Sequence, residues 1–234
     1  MRNLKAIVLA CVAAAASLLY AQGTPRSTGW DTYAGDAQGR RFSPLTQITP
    51  TNVSKLRLAW QYGVADTSTG SVTAAGRSQA VPIVVRGVLY TSTARRTIVA
   101  LDPATGKEIW KYELDKGGAP NRGVSYWPGD GRSPARILAG TTDGRLLALD
   151  AATGQLIPTF GEHGAIDLRA GVADRYPRMP YMMASPGIVY RDLVVTGAQG
   201  QEDNPDGPAM DVRAWDVRSG KLVWTFHTIP HPGE

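Results

Sequence analysis

The chain has 234 residues, of which 43% are hydrophobic and 19% charged, and its formal net charge is +5 at pH 7. This length and apolar content predict a folded chain with a sizeable core, since the chain is too apolar to be disordered. The basic residues are scattered among acidic ones without a continuous run, which argues against nucleic acid as a partner.

The N-terminal segment MRNLKAIVLACVAAAASLLYAQG has the pattern of a secretory signal peptide. Arg2 and Lys5 precede an uncharged apolar run that ends at Tyr20, and the small residue Ala21 follows. We predict residues 1–21 as the signal peptide and an exported, periplasmic protein. The run is shorter than the roughly 18 to 20 apolar residues that cross a bilayer, so no membrane span is expected in the mature chain.

Cys11 is the only cysteine in the sequence, and it would be removed with the predicted signal peptide. The mature chain would then contain neither disulfides nor thiolate metal sites. Too little of the apolar run precedes Cys11 for a lipoprotein signal. Loss of Arg2 and Lys5 lowers the formal charge from +5 to +3.

A pattern occurs three times further along the chain, as ALDPATGKEIW from Ala100, ALDAATGQLIP from Ala148 and AWDVRSGKLVW from Ala214. Each copy has Asp, three residues later Thr or Ser followed by Gly, and an apolar segment on either side. Turn formers between β-forming segments predict a β-hairpin in each copy. Further apolar strands are predicted upstream of the hairpins, at residues 82–85 with 87–90, 136–140 and 192–197.

About four strands per period predict an all-β fold, a β-propeller of four-stranded blades. The extra length between copies is expected in loops, chiefly Gly161 to Pro186 and Gly200 to Met210, where sites are commonly built. We expect Trp110 and Trp224, which follow the turns, to pack between neighbouring blades. Pro158 stands at that position in the second copy, so one contact between blades must be made differently.

Taken with the segment WDTYAGDAQGRRFSPLTQITPTNVSKLRLAW from Trp30 to Trp60, the turn pattern resembles the N-terminal part of quinoprotein dehydrogenases of the methanol, alcohol and glucose type. NRGVSYWPGD from Asn121 and TFHTIP from Thr225 add to the resemblance, which looks closest to the glucose-dehydrogenase-like branch. It implies an eight-bladed propeller that holds pyrroloquinoline quinone (PQQ). Residues 22–234 would form about half of it, with the C-terminal blades missing.

The resemblance also implies residues for the quinone site. PQQ carries three carboxylates, and the family's Asn-Arg-Gly motif places Arg122 at the acidic edge, where a planar guanidinium pairs well with a carboxylate. Gln79 matches a family position whose amide can donate to a carboxylate, and Ser185 matches a family hydroxyl. Without the resemblance, Arg122 would be interpreted as a solvated loop arginine.

The family holds calcium beside the quinone, and the resemblance implies Glu202 as the metal ligand. Asp203 and Asn204 follow closely enough that the register stays open by one or two positions; alone, this acidic run would be interpreted as a solvated turn. The catalytic aspartate and the other calcium ligands are expected beyond Glu234.

The implied function is oxidation of an alcohol or sugar hydroxyl by hydride transfer to calcium-bound PQQ, with electrons passed to a respiratory cytochrome or quinone. The sequence has no strand–Gly-x-Gly-x-x-Gly–helix unit for a nicotinamide cofactor. The alternative is a non-enzymatic scaffold of PQQ-like repeats in the cell envelope, which would need neither the Asn-Arg-Gly motif nor the acidic loop at Glu202. A WD-repeat interaction module fits less well.

Two features depart from the family pattern. Methanol and many alcohol dehydrogenases of the family carry adjacent cysteines before the Asn-Arg-Gly motif, whereas residues 116–120 here read KGGAP, which argues against the methanol branch. The sequence also ends at Glu234 within a family motif. A partial propeller leaves strand edges and blade faces uncovered, so we expect this polypeptide to be inactive on its own.

Overall fold

The computed structural model describes residues 29–36, 38–63, 79–94, 96–200 and 206–230. Within these ranges the chain forms three four-stranded antiparallel sheets, each with its strands in sequence order. The predicted all-β fold of four-stranded blades is thus confirmed. A short 3-10 turn, Val53–Lys55, precedes the first sheet. No helix in the described ranges is both long and apolar enough to cross a bilayer, and the predicted signal peptide lies outside them.

The first blade comprises β1 (Ile83–Val85), β2 (Val88–Ser92), β3 (Thr97–Leu101) and β4 (Glu108–Glu113). The turn between β1 and β2 has Arg86 and Gly87 at φ of 51° and 79°. Positive φ at both central positions matches the twist of a two-residue hairpin. β1 and β2 are the two strands that the apolar segments upstream of the first hairpin predicted.

The second blade comprises β5 (Ser125–Trp127), β6 (Arg136–Gly140), β7 (Arg145–Asp150) and β8 (Ala165–Asp167). The third comprises β9 (Ile188–Tyr190), β10 (Leu193–Thr196), β11 (Val212–Asp216) and β12 (Leu222–Phe226). β6 covers the predicted strand at 136–140, and β10 lies within the predicted strand at 192–197.

The repeated turn sequence is explained by local hydrogen bonds that recur in every copy. The carboxylate of each turn Asp accepts from the backbone N–H groups two and three residues later and from the Thr or Ser hydroxyl, while the Gly N–H donates to the Asp carbonyl at 2.8 Å. The three glycines have φ of 70° to 73°. Only glycine adopts this conformation without a steric penalty. The turn residues are Asp102 to Gly106, Asp150 to Gly154 and Asp216 to Gly220.

The second copy differs from its predicted hairpin. Leu156 makes only an isolated bridge to Leu149, and the fourth strand of the blade is β8, which pairs with the start of β7. Pro158 has no N–H to donate to a strand ladder, which ends the pairing there. The residues that follow place Phe160 in the core at 0% exposure before β8 begins. Part of the segment predicted as loop is therefore strand.

The core lies between the blades, in two layers. Alternate residues of β6 face opposite sides: Ile137 and Ala139 pack with the first blade, whereas Leu138 packs with the third. Side chains of a strand alternate between its two faces, so a strand whose sheet is covered on both sides has no face exposed to solvent. All five residues of β6 are accordingly buried.

Tryptophans connect successive blades, as predicted for Trp110. Its Nε1 donates to the Ala151 carbonyl at 2.9 Å, and its ring covers Gly154, where an added Cβ would lie 2.6 Å from the ring. Trp60 makes the equivalent contact one blade earlier, over Gly106, a role that sequence analysis did not assign.

The third contact of this kind is made without tryptophan. Gly220 lies against Gly161 and Ile166, because Pro158 occupies the tryptophan position of the second copy. The prediction that this contact is made differently is therefore confirmed. Trp224 is 40% exposed within the part of the chain that the structure describes, and its packing between blades stays a prediction.

Candidate functional site

The segments that precede the first strand of each blade lie side by side and are joined by backbone hydrogen bonds. The N–H of Gln79 donates to the Asn121 carbonyl at 3.1 Å, and the N–H of Val81 donates to the Arg122 carbonyl at 3.2 Å. The N–H of Arg122 then donates to the Ala184 carbonyl at 3.2 Å. Residues far apart in sequence thus form one edge across three blades.

Three of the four predicted site residues lie on this edge. Arg122 Nη1 donates to Ser185 Oγ at 2.9 Å, and the backbone of Gln79 lies one hydrogen bond away from the same motif. Gln79 and Ser185 are exposed and Arg122 is half-buried. No carboxylate pairs with Arg122 within the described ranges. Its guanidinium therefore keeps donors for an anionic ligand.

The glycine of the Asn-Arg-Gly motif is needed for this close approach. Gly123 has φ of 113°, and a Cβ there would lie 2.8 Å from the Val81 carbonyl oxygen. Any other residue would push the motif away from the first blade and strain its backbone. The motif's sequence therefore fixes the position of Arg122 relative to Gln79.

The predicted metal ligand Glu202 lies outside the described residues, as do Asp203 and Asn204. Elsewhere, in the ranges that the structure covers, no group of three or more His, Cys, Asp or Glu side chains is placed to hold a metal ion. The metal site thus stays a prediction.

The segment that follows Glu202 is anchored at two points. Tyr176 Oη donates to Asp206 Oδ1 at 2.5 Å, and this hydrogen bond, with burial, raises the pKa of Tyr176. His227 Nδ1 lies 2.9 Å from Oδ2 of Asp211, which is only 3% exposed. These contacts fix where the chain emerges on the C-terminal side of the predicted metal loop.

Sequence analysis treated residues 116–120 only as a departure from the family and did not find what holds them. The structure docks this loop on the turn between β6 and β7. Gly118 N–H donates to Thr142 Oγ1 at 2.7 Å, and Thr142 N–H donates back to the Gly118 carbonyl at 3.0 Å. Arg145 donates to the Lys116 carbonyl at 2.9 Å. The only signal in the sequence was the pair Gly117 and Gly118, because consecutive glycines allow a close approach to another part of the backbone.

Blades of four sequential antiparallel strands, with a tryptophan packed on the turn glycine of two of the three blades, define the chain as part of a β-propeller. The family model described as "Glucose/ethanol/alcohol dehydrogenase, beta-propeller domain" matches residues 30–234. The chain belongs to this family of PQQ-dependent dehydrogenases.

Known relatives support the assignment. The chain is 34% identical over 218 residues to the glycerol dehydrogenase large subunit of Gluconobacter thailandicus, which covers 86% of this chain and 29% of that protein. It is 31% identical over 233 residues to quinoprotein glucose dehydrogenase A of Acinetobacter calcoaceticus, again over 29% of that protein. The chain thus spans less than a third of the length of these relatives.

A solved structure shows the same architecture. The quinohemoprotein alcohol dehydrogenase of Comamonas testosteroni superimposes with a TM-score of 0.69 at 28% identity, over 89% of this chain and 28% of that chain. The blade arrangement is therefore that of a quinoprotein propeller.

Proposed function

We propose that this chain supplies part of the quinone site of a PQQ-dependent dehydrogenase that oxidises an alcohol or sugar hydroxyl. The observation that carries the proposal is Arg122, which is half-buried, lacks a carboxylate partner within the described ranges and is held beside Ser185 and Gln79 where three blades meet. An unpaired guanidinium in a fixed position suits a carboxylate ligand.

The donors on this edge fit the chemistry of PQQ. A ligand with three carboxylates needs cations and hydrogen-bond donors, and Arg122, Ser185 and Gln79 supply a guanidinium, a hydroxyl and an amide. Bound PQQ would accept the hydride that leaves the substrate carbon. The role of this chain is to bind the carboxylates of the quinone and to orient the ring. The base that removes the hydroxyl proton is expected from later blades.

We extend the proposal to the metal and to the setting of the reaction. Glu202 would bind Ca²⁺, a hard cation that prefers carboxylate oxygens, and the electrons would pass to a respiratory cytochrome or quinone. The signal-like residues 1–21 support export to the periplasm.

Binding of PQQ tests the proposal directly. Titration of the protein with PQQ, followed by absorbance or by quenching of tryptophan fluorescence, is carried out for the unmodified protein, Arg122→Ala and Arg122→Lys. Loss of charge-assisted hydrogen bonds predicts a Kd about tenfold or more higher for Arg122→Ala. Arg122→Lys should be intermediate, because a point charge replaces a planar fork.

The matched control is Arg132→Ala, which removes an exposed arginine from the turn between β5 and β6. An unchanged Kd for Arg122→Ala, or an equal change for Arg132→Ala, contradicts the role of Arg122. If the unmodified protein does not bind PQQ, the proposed quinone contacts of this chain are contradicted. Titrations of Glu202→Gln with and without Ca²⁺ test the metal, since equal calcium dependence in both proteins excludes Glu202 as the ligand.

A further inference from the structure

The loop that leads to Arg122 is held by one arginine of the next blade. Arg145 uses all three guanidinium nitrogens: Nη2 donates to the Lys116 carbonyl at 2.9 Å, Nη1 lies 3.1 Å from Asp115 Oδ1, and Nε donates to Asp143 Oδ2 at 2.9 Å. Its side chain is only 14% exposed. A mostly buried guanidinium that bridges two carboxylates and a carbonyl holds these groups in a single arrangement, because each of its bonds has a fixed direction.

Three further observations show that the loop is fitted closely to this turn. Gly117 has φ of 66°, and a Cβ there would lie 2.4 Å from Asp143 Oδ1. Gly118 and Thr142 exchange two hydrogen bonds. Although burial acts to raise it, hydrogen bonds from the Lys116 N–H and Arg145 hold the pKa of Asp115 below its usual value.

The loop at residues 115–118 leads directly to the edge where Arg122 is proposed to contact the quinone. After Gly118, the Pro120 carbonyl accepts from Ser92 Oγ at 2.5 Å, and Asn121 and Arg122 follow at once. Few residues separate the clamped loop from the proposed quinone contact, and each is itself hydrogen-bonded or buried. Loosening the loop would therefore broaden the positions that Arg122 can adopt.

We infer that Arg145, together with Thr142, is a positioning residue for the quinone site, which holds the loop at residues 115–118 so that Arg122 meets the quinone carboxylate in one orientation. The inference rests on the proposed function, because it concerns how Arg122 is presented to PQQ. Preorganisation of this kind raises affinity by lowering the entropy lost on binding.

Hydrogen exchange of the chain without PQQ tests the clamp by itself. We expect Arg145→Ala to speed exchange at the Gly118 amide by about tenfold, since charge-assisted hydrogen bonds are lost. Thr142→Val, which keeps the branched shape but removes the hydroxyl acceptor, should act the same way, and Thr142→Ser should restore protection. The matched control is Arg218→Ala, whose guanidinium lies in the turn between β11 and β12 and pairs with the carboxylates of Asp130, Asp192 and Asp216.

PQQ titration of the same variants tests positioning. We expect Kd to rise about threefold to tenfold for Arg145→Ala, with recovery in Thr142→Ser relative to Thr142→Val and no change in Arg218→Ala. Faster exchange with an unchanged Kd overturns the positioning role and leaves the proposed function intact. Unchanged exchange overturns the clamp. If the unmodified protein does not bind PQQ, the proposed function fails, and this role fails with it.

Discussion

The contact between Trp110 and Gly154 makes a sharp prediction about how the blades are held together. Gly154 has φ of 72° and an added Cβ would lie 2.6 Å from the Trp110 ring, whereas Gly87 has φ of 79° and nothing within 4 Å of its added Cβ. Gly154→Ala and Gly87→Ala therefore impose a similar backbone penalty, and only the first inserts a methyl group between blades.

The magnitudes follow from these two geometries. An alanine in the left-handed region costs about 1 to 2 kcal/mol, and reduced freedom of the unfolded chain offsets about 0.4 to 1 kcal/mol of it. Gly87→Ala should thus lose about 1 kcal/mol. Overpacking adds about 1 to 3 kcal/mol at Gly154, because the Trp110 ring is fixed by its bond to the Ala151 carbonyl. Gly154→Ala should then lose about 2 to 4 kcal/mol.

Urea unfolding followed by tryptophan fluorescence measures both variants. With a slope of about 2 kcal/mol per molar urea, the midpoint of Gly154→Ala should fall about 1 M below that of Gly87→Ala. Combining Gly154→Ala with Trp110→Ala should remove most of the difference, since the two residues are in contact. Equal losses in the two glycine variants would show that Trp110 does not pack on this turn.

Two further predictions concern single polar contacts. The N–H of Ser133 and the guanidinium of Arg218 lower the pKa of Asp130 to about 2. The contribution of Asp130 to stability is therefore complete above the ordinary carboxyl pKa of about 3.9, and it is lost as pH falls towards about 2. The Tm of the unmodified protein should therefore drop more steeply between pH 4 and pH 2 than that of Asp130→Asn, and parallel curves would exclude this role. Trp110→Phe removes the shorter of the two hydrogen bonds to the Ala151 carbonyl, at 2.9 Å, and leaves the one from Tyr90 Oη at 3.2 Å. The free energy of unfolding in urea should fall by about 1 kcal/mol, whereas no loss would show that the Trp110 bond contributes nothing.

The blades could be predicted because their turns are made locally. Each turn Asp accepts hydrogen bonds from groups within the next three residues, so the same five-residue pattern gives the same turn in all three copies. The prediction was wrong in the second copy, where Leu156 should have begun the partner strand. The course of the chain there depends on burying Phe160 between blades, a tertiary effect that no local pattern contains.

The candidate site could not be predicted from periodicity, because its residues meet only across blades. Ser185 contacts Arg122 from 63 positions away, and Thr142 contacts Gly118 from 24 positions away. Spacing along the sequence carries no information on such pairs. The resemblance to the family supplied Gln79, Arg122 and Ser185, and only the structure revealed that Arg145 holds the loop that leads to Arg122.

The three segments that meet at this edge also show why the repeated turns keep the same residues while the residues of the candidate site differ from blade to blade. Gln79, Arg122 and Ser185 occupy corresponding places before the first strands of three blades, yet their side chains differ in charge and size, whereas the turns of the same blades all keep Asp, Thr or Ser, and Gly. Each turn has the same task, to reverse the chain against its neighbour. A single ligand on a nearly symmetrical ring presents a different edge to every blade, so each blade needs its own donor there. Divergence at corresponding positions within a repeat is therefore where the binding chemistry of a propeller should be sought.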